Sequence, residues 1–337
     1  MKPNIDWLSV SFWGEIVIPP KFSIVVKDMK TRHFNIVEEI FYSSKRVFTI
    51  VRSPASRALN PDLCICKWDN WLLYDNQIFS MFKALTSNSH ITNIKVSRID
   101  ICIDFPEFYN NLQCQSFIRQ FLRNKYIKNN VSHYKLESAQ INDDGFVQNF
   151  DWISFGHNTS SIKTYIYNKT LEMKQVKFKQ WIYDSWKINE LPVDRDIYRL
   201  EFAIHPGQFK ICSTSNGAIL NIDYFAVQQY EFIQMIFESL VYKYFDFRIN
   251  DGQKNKCRMK RVNLFKLDSP PFIFLFDSDN TDTNRSDKIF INKSLRTFSE
   301  LREVDSARSE HYLNIADIHA TTTNLQQYFQ YKKMTIN

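Results

Sequence analysis

Charged residues inside an apolar strand constrain the fold of this chain more than any other feature. The run 94–105 reads IKVSRIDICIDF. Strand alternation gives this run an aliphatic face and a polar face, and the polar face carries Arg98, Asp100, Cys102 and Asp104. A buried carboxylate is costly unless it is paired or bound to a cation, so the fold must supply partners for these acids.

The same arrangement recurs about a hundred residues later. Residues 197–205 form another apolar strand pattern, in which Arg199 and Glu201 repeat the order arginine, aliphatic residue, acid. Two similar half-domains facing one another would leave such an echo, although a three-residue repeat also arises by chance.

The composition favours a sheet-based fold. The chain has 29 Phe, 16 Tyr and only 6 Gly, and aromatic side chains fit the half-buried surface of a sheet. Apolar periodicity and turn residues predict further strands at 7–12, 22–27, 47–51, 151–155 and 162–167, and helices at 76–86, 111–129, from 169, and at 222–247. This order predicts an α+β fold with an antiparallel sheet core and flanking helices.

The character of the chain changes near residue 250. A basic run is followed by Pro270 and Pro271 and then by a polar tract at 277–287. We therefore expect a main, functional domain at 1–249 and a C-terminal appendage at 250–337.

Several functional classes are disfavoured. The six cysteines form no C-x-x-C pair, which argues against structural zinc. Nucleotide-binding glycine loops are absent, as is any apolar run of the roughly 20 residues that a membrane span needs. The first residues do not resemble a signal peptide, so a cytoplasmic protein without membrane contact is expected. A net charge of +7 favours anionic partners but decides little by itself.

The embedded acids allow two interpretations. Asp100, Asp104 and Glu201 either form salt bridges with Arg98 and Arg199 or bind a cation. Oxygen ligands suit Mg²⁺ or Mn²⁺. Asp100 and Asp104 are four strand residues apart, about 13 Å, which is too far to share one ion without a bulge.

A tyrosine lies between these two strands in the sequence. Tyr167 ends a predicted hairpin strand, and Lys169 and Glu172 follow at the start of a helix. A tyrosine oxygen can attack a DNA phosphate when its proton is removed and the phosphate charge is neutralised, for which Lys169 is suitably placed. In a chain rich in tyrosine, a packing role is the alternative.

Four motifs taken in order resemble the replication initiation factor family, the rolling-circle replication initiators of plasmids and phages and the related relaxases of mobile elements. They are Ile5–Val10, Ser97–Asp104, Tyr165–Lys169 with Glu172, and Tyr198–Glu201. The resemblance covers roughly residues 5–245 and implies a fold related to the rolling-circle endonucleases.

The resemblance also implies a chemistry. Tyr167 would attack one DNA strand at an origin and form a covalent 5′-phosphotyrosine, with a divalent metal held by Asp100, Glu172 and Glu201. Asp104 matches a recurrent acid of the family and is a fourth candidate ligand. The expected partners are origin or transfer-site DNA, single-stranded or in a hairpin, together with a host helicase and polymerase. The candidate DNA contacts are basic residues, namely Arg98, Arg199, Lys254, Lys256, Arg258, Lys260 and Arg261.

Two alternatives remain open from the sequence. A conjugative relaxase would use the same chemistry with different partner proteins. A non-catalytic DNA-binding protein would use the acids only as salt-bridge partners of Arg98 and Arg199.

Overall fold

A computed structural model describes most of the chain up to residue 277. The described residues are 2–28, 31–75, 78–129, 133–137, 140–141, 147–156, 160, 162–205, 209–213, 219–220, 222, 224–266 and 273–277. The strands within them are β1 (Asn4–Glu15), β2 (Phe22–Lys27), β3 (Phe34–Tyr42), β4 (Lys45–Pro54), β5 (Leu63–Trp68), β6 (His90–Phe105), β7 (Tyr126–Lys128), β8 (Tyr134–Glu137), β9 (Gln140–Ile141), β10 (Val147–Asn149), β11 (Trp152–Phe155), β12 (Ile162–Asn168), β13 (Tyr198–Ile204), β14 (Phe209–Ser213), β15 (Ile219–Leu220), β16 (Phe247–Ile249) and β17 (Ile273–Asp277). The helices are α1 (Ile78–Leu85), α2 (Cys114–Leu122), α3 (Lys169–Gln175), α4 (Gln180–Ile188) and α5 (Tyr230–Tyr244).

Ten of these strands form one antiparallel sheet. Its order is β2-β3-β4-β5-β1-β6-β13-β12-β11-β8, and β9 with β10, β14 with β15 and β17, and β7 with β16 form small separate sheets. The strands that carry the repeated Arg-aliphatic-acid pattern, β6 and β13, are direct neighbours. A rotation that exchanges them about the Ile101–Phe202 pair would place Arg98 on Arg199 and Asp100 on Glu201. The echo therefore relates two strands of one sheet.

The central strands have one apolar face and one polar face. The apolar face is fully buried, and α5 packs on it where the Phe237 ring lies 5.6 Å from that of Phe202. A smaller apolar cluster of Met173, Ile182, Trp186 and Ile197 belongs to α3, α4 and the residue before β13. The polar side chains of β6, β12 and β13 lie on the other face, where several remain partly exposed.

The structure confirms the predicted α+β architecture and changes several boundaries. The helix expected at 111–129 ends at Leu122, because Asn124 takes a left-handed conformation (φ 56°) and the chain continues into β7. The helix expected at 222–247 is shorter, since the residues just before α5 include a 3₁₀ turn at Ala226–Gln228. The pattern did not predict β3 or β5. Pro270, Pro271 and residues 278–287 lie outside the described residues.

The folded body continues past the boundary expected at 249/250. Val262 donates its backbone N–H to Phe247, and Leu264 and Phe265 belong to the main apolar core with 3% and 9% exposure. The segment that follows residue 250 therefore contributes to the core through residue 265. No helix within the described ranges is long and apolar enough to cross a lipid bilayer.

Candidate active site

Tyr167 lies at the end of β12, next to the start of a helix. Its strand neighbours are Trp152 on β11 and Arg199 on β13, and its hydroxyl donates a hydrogen bond to Oε2 of Glu201 (2.8 Å). Asn168 closes the strand and caps α3, because its side-chain oxygen accepts from the backbone N–H of Leu171 (2.9 Å). The predicted order of hairpin strand, Tyr167 and helix from 169 is confirmed.

Glu201 is placed to accept the proton of Tyr167. Burial, with the negative charges of Asp6 and Asp100, raises the pKa of Glu201 to about 7 against the opposing effects of Arg199 and of the hydrogen bond from Tyr167. A carboxylate with this pKa can both take and return a proton near neutral pH. Burial and the charge of Glu201 also raise the pKa of the Tyr167 hydroxyl, which keeps the tyrosine protonated.

Asp100 lies on the same polar face and is held by an arginine of its own strand. It is 2% exposed, and Arg98 donates to both of its carboxylate oxygens (2.9 Å and 2.6 Å). Burial raises the pKa of Asp100 to about 6 in spite of this ion pair, and Asp6 adds to the effect. The Arg98 guanidinium also stacks on the Trp7 ring at 4.5 Å from its centroid.

Arg199 is the centre of a buried network and does not reach the surface. It is 0% exposed and donates to both oxygens of Asp104 (2.6 Å and 2.7 Å) and to Asp6 (2.5 Å). Trp186 of α4 donates its indole N–H to Asp104 (2.7 Å). The prediction that Arg199 contacts DNA is therefore wrong, because the residue is fully buried and its guanidinium N–H groups donate to Asp104 and Asp6. Both carboxylate oxygens of Asp104 accept hydrogen bonds from Arg199, so they are not free to bind a metal ion.

Asp6 is a site residue that the sequence reasoning missed. The register of β1 against β6 shifts between Ile5 and Trp7, and this β-bulge re-aims the intervening Asp6 towards Arg199. Burial tends to raise the pKa of Asp6, but the charges of Arg199 and Lys169 outweigh it and hold that pKa well below the usual range. The sequence did offer a signal for Asp6, because it is an acid at the start of an apolar strand pattern. An acid in an apolar strand was also the signal that singled out Asp100.

Lys169 and Glu172 form the next layer around the tyrosine. The Lys169 ammonium is buried at 1% exposure, 2.7 Å from Oε2 of Glu172 and 5.4 Å from the centroid of the Tyr167 ring. Burial lowers the pKa of Lys169, as does the charge of Arg199. Glu172 also faces Lys179 at 3.6 Å. Glu172 is thus an ion-pair partner of lysines here.

The predicted metal ligands do not all converge. Within the described residues, no three His, Cys, Asp or Glu side chains come together as a metal site. Asp100 and Glu201 are diagonal neighbours on β6 and β13, a separation of about 7–8 Å between positions. Mg²⁺ commonly uses one or two carboxylates, with waters and phosphate oxygens completing its shell. The donor chemistry of this pair fits such a hydrated site, although Arg98 holds both oxygens of Asp100 and would have to release one of them. Arg98 is partly exposed, whereas the Arg199 that holds Asp104 is fully buried and Glu172 is paired with two lysines.

The basic run beyond residue 250 divides into two groups. Lys254, Lys256, Arg258 and Lys260 are exposed. Arg261 instead lies 3.4 Å from Asp246 and stacks on the Tyr242 ring at 4.4 Å. The first group stays available for phosphate contacts, while Arg261 ties the segment to the body.

The chain was compared with family models, curated proteins and solved structures. No family model matches the chain, and no curated protein matches it. Among solved structures, the rolling-circle replication initiator protein from Geobacillus stearothermophilus is similar, with 13% sequence identity over 78% of this chain and 93% of that chain and a TM-score of 0.46. A likeness of this size does not assign an activity.

Proposed function

We propose that this protein is a DNA strand-nicking and religating enzyme of rolling-circle replication, with Tyr167 as its nucleophile. The observation that carries the proposal is the 2.8 Å hydrogen bond from the Tyr167 hydroxyl to Glu201, a carboxylate whose pKa of about 7 suits a general base. The family resemblance of the sequence motifs supports the same chemistry.

The reaction balances with the residues of this site. The Tyr167 oxygen attacks a DNA phosphorus while its proton passes to Glu201. The bond from phosphorus to the 3′ oxygen breaks, and Glu201 gives the proton it took to that oxygen by way of solvent water, which leaves a 5′-phosphotyrosine and a free 3′ hydroxyl. Lys169 is buried and paired with Glu172, so it would act through its positive charge 5.4 Å from the tyrosine ring, and not by direct contact, to stabilise the added negative charge of the phosphate. Religation reverses these steps, with the 3′ hydroxyl attacking the phosphotyrosine.

A divalent cation, Mg²⁺ or Mn²⁺, belongs to this proposal. Asp100 and Glu201 would each offer it one carboxylate oxygen, with Oε2 of Glu201 left to the Tyr167 hydroxyl and one Arg98 bond to Asp100 given up. The cation would neutralise charge on the reacting phosphate. Of the four ligands expected from the sequence, the proposal keeps these two acids, because Asp104 is bound by the fully buried Arg199 and Glu172 is paired with two lysines.

The DNA would be an origin or a transfer site, with a helicase and a polymerase of the host acting afterwards. A conjugative relaxase has the same active-site chemistry and differs in its partner proteins. A non-catalytic DNA-binding protein is the second candidate, because the Arg98–Asp100 and Arg199–Asp104 salt bridges are the structural roles that it requires.

The test is covalent capture of DNA. The full chain is incubated with single-stranded oligonucleotides and Mn²⁺, and a protein–DNA adduct is sought on a denaturing gel. The adduct should form with the native chain and with the control Tyr165→Phe, and should disappear with Tyr167→Phe while DNA binding persists. An adduct of unchanged yield in Tyr167→Phe would exclude this nucleophile. Absence of any adduct, with Asp100→Asn binding DNA normally, would favour the non-catalytic candidate.

A further inference from the structure

An exposed aromatic and basic surface lies beside the candidate active site. It comprises the end of α3, the turn between α3 and α4, and part of α4, and we call it the α4 strip: Lys174, Val176, Lys177, Phe178, Tyr183, Lys187 and Ile188. All of these are exposed except Tyr183, which is half-buried against the small apolar cluster. Ile188 and Val176 are the most exposed large apolar residues of the described chain, at 79% and 76%, and Phe178 is 54% exposed. Water-facing apolar side chains at this density mark an interaction surface.

The strip interleaves rings with positive charge. The Phe178 and Tyr183 rings are 5.8 Å apart, and the Lys187 ammonium lies 4.6 Å from the Tyr183 ring centroid. Residues 174–188 contain four lysines and a single acid, Asp184. Aromatic faces that stack on bases, combined with cations that follow the phosphates, are the usual means of binding single-stranded nucleic acid.

Ion pairs and packing contacts connect the α4 strip to the residues around Tyr167. Lys179, in the turn, faces Glu172, and Glu172 faces Lys169 beside the Tyr167 ring. On the inner side of α4, Ile182 is fully buried and Trp186 bonds to Asp104 in the Arg199 network. DNA held by the strip would therefore be held at a fixed position relative to the nucleophile.

We propose that the α4 strip binds the single-stranded DNA that flanks the cleaved phosphate, with Phe178 stacking on a base and Lys174, Lys177 and Lys187 contacting phosphates. The proposal rests on the proposed function, since it assigns the substrate of that reaction a second contact. The charge of the strip favours this ligand over an uncharged protein surface.

The experiment measures binding without cleavage. In the full chain carrying Tyr167→Phe, the affinity for a fluorescent oligothymidylate of about 12 nucleotides is measured by anisotropy. Phe178→Ala should weaken binding by about tenfold, and Phe178→Trp should restore it. Lys177→Gln should lower the slope of log affinity against log salt by roughly 0.7. The matched controls are Trp13→Ala, another exposed aromatic residue, and Lys95→Gln, another exposed lysine, and both should bind as the parent does.

The outcomes separate this inference from the proposed function. Unchanged affinity in Phe178→Ala and an unchanged salt slope in Lys177→Gln would overturn the inference and would indicate a protein partner for the strip. If both variants weaken binding but the native chain forms no adduct, the strip stands and the proposed chemistry fails. If the controls weaken binding as much as the strip variants do, contact at this site is not specific and the inference also fails. Unchanged thermal unfolding of each variant makes these readings independent of folding.

Discussion

At the scale of single residues, the site contains carboxylates whose pKa values are shifted in opposite directions. Asp6 is held ionised by Arg199 and Lys169, whereas burial and like charges raise the pKa of Glu201 to about 7. Removing Arg199 would strand Asp6 and Asp104 as buried charges, which is the costly way to break such a network. One polar face of the sheet thus holds a permanent anion beside a group that can exchange its proton.

The raised pKa of Glu201 has a cost in stability that can be measured. Below its ordinary value of 4.5 the carboxyl is protonated in both states. Between 4.5 and about 7 the unfolded chain ionises first, so the free energy of unfolding falls as the pH rises, and above 7 it no longer changes on this account. Glu201→Gln should remove this loss and be more stable than the native chain at pH 8, by roughly 2–3 kcal/mol.

Urea unfolding at pH 4.5, 6 and 8 tests this prediction. The pKa of Asp100 is also raised, from 3.8 to about 6, so the free energy of unfolding should still fall between these pH values in Glu201→Gln. The same variant should lose most of its DNA adduct, since it has no base for Tyr167. A Glu201→Gln chain whose stability follows the native pH profile would show that Glu201 titrates normally.

The residues that the sequence identified were those with a local signal. Tyr167, Lys169, Asp100 and Glu201 were each placed by strand alternation or by adjacency to a helix start. The acids that Arg199 binds could not be predicted from the sequence. Asp6 reaches Arg199 because of a β-bulge in β1, and Asp104 is fixed by a hydrogen bond from Trp186 of α4. Such contacts arise from tertiary packing and leave little trace in a strand pattern.

At the scale of elements, the junction between β12 and α3 places two charged side chains next to Tyr167. The strand sets Tyr167 opposite Arg199, and the helix starts immediately afterwards with Lys169. This junction was predictable, because the alternating strand and the following helical residues are contiguous. The lengths of α2 and α5 were not, since apolar residues continue beyond both helices into short strands or a 3₁₀ turn.

Asn168 should stabilise this junction. Its side chain is the cap of α3, so Asn168→Ala should cost about 1 kcal/mol and loosen the helix that carries Lys169 and Glu172. We expect a lower rate of adduct formation at saturating DNA, with little change in DNA affinity. Asn168→Asp keeps a capping oxygen and should recover stability. If alanine and aspartate variants unfold alike and react at the native rate, the cap has no part in positioning Lys169.

At the scale of the whole molecule, one sheet brings together residues that are far apart in sequence. β1, β6, β12 and β13 are neighbours in the order β1-β6-β13-β12, which gathers Asp6, Asp100, Glu201 and Tyr167 on one face. The opposite face needs a continuous apolar cover, and this requirement explains why the chain after residue 250 returns to the core. The composition change near residue 250 predicted a surface segment, because exposed lysines outnumber the few apolar residues of this segment that pack into the core.

Phe265 is the residue that decides between an appendage and an integral segment. Its ring lies 5.3 Å from that of Phe105, 5.4 Å from that of Phe108 and 5.9 Å from that of Phe245. Phe265→Ala would leave a cavity among these rings, and such truncations typically cost about 3–5 kcal/mol. Thermal and urea unfolding should show this loss in a single transition of the body, whereas the exposed control Lys256→Ala should stay within about 0.5 kcal/mol of the native chain. A Phe265→Ala chain as stable as that control would mean that the segment after 250 rests on the body without supporting it.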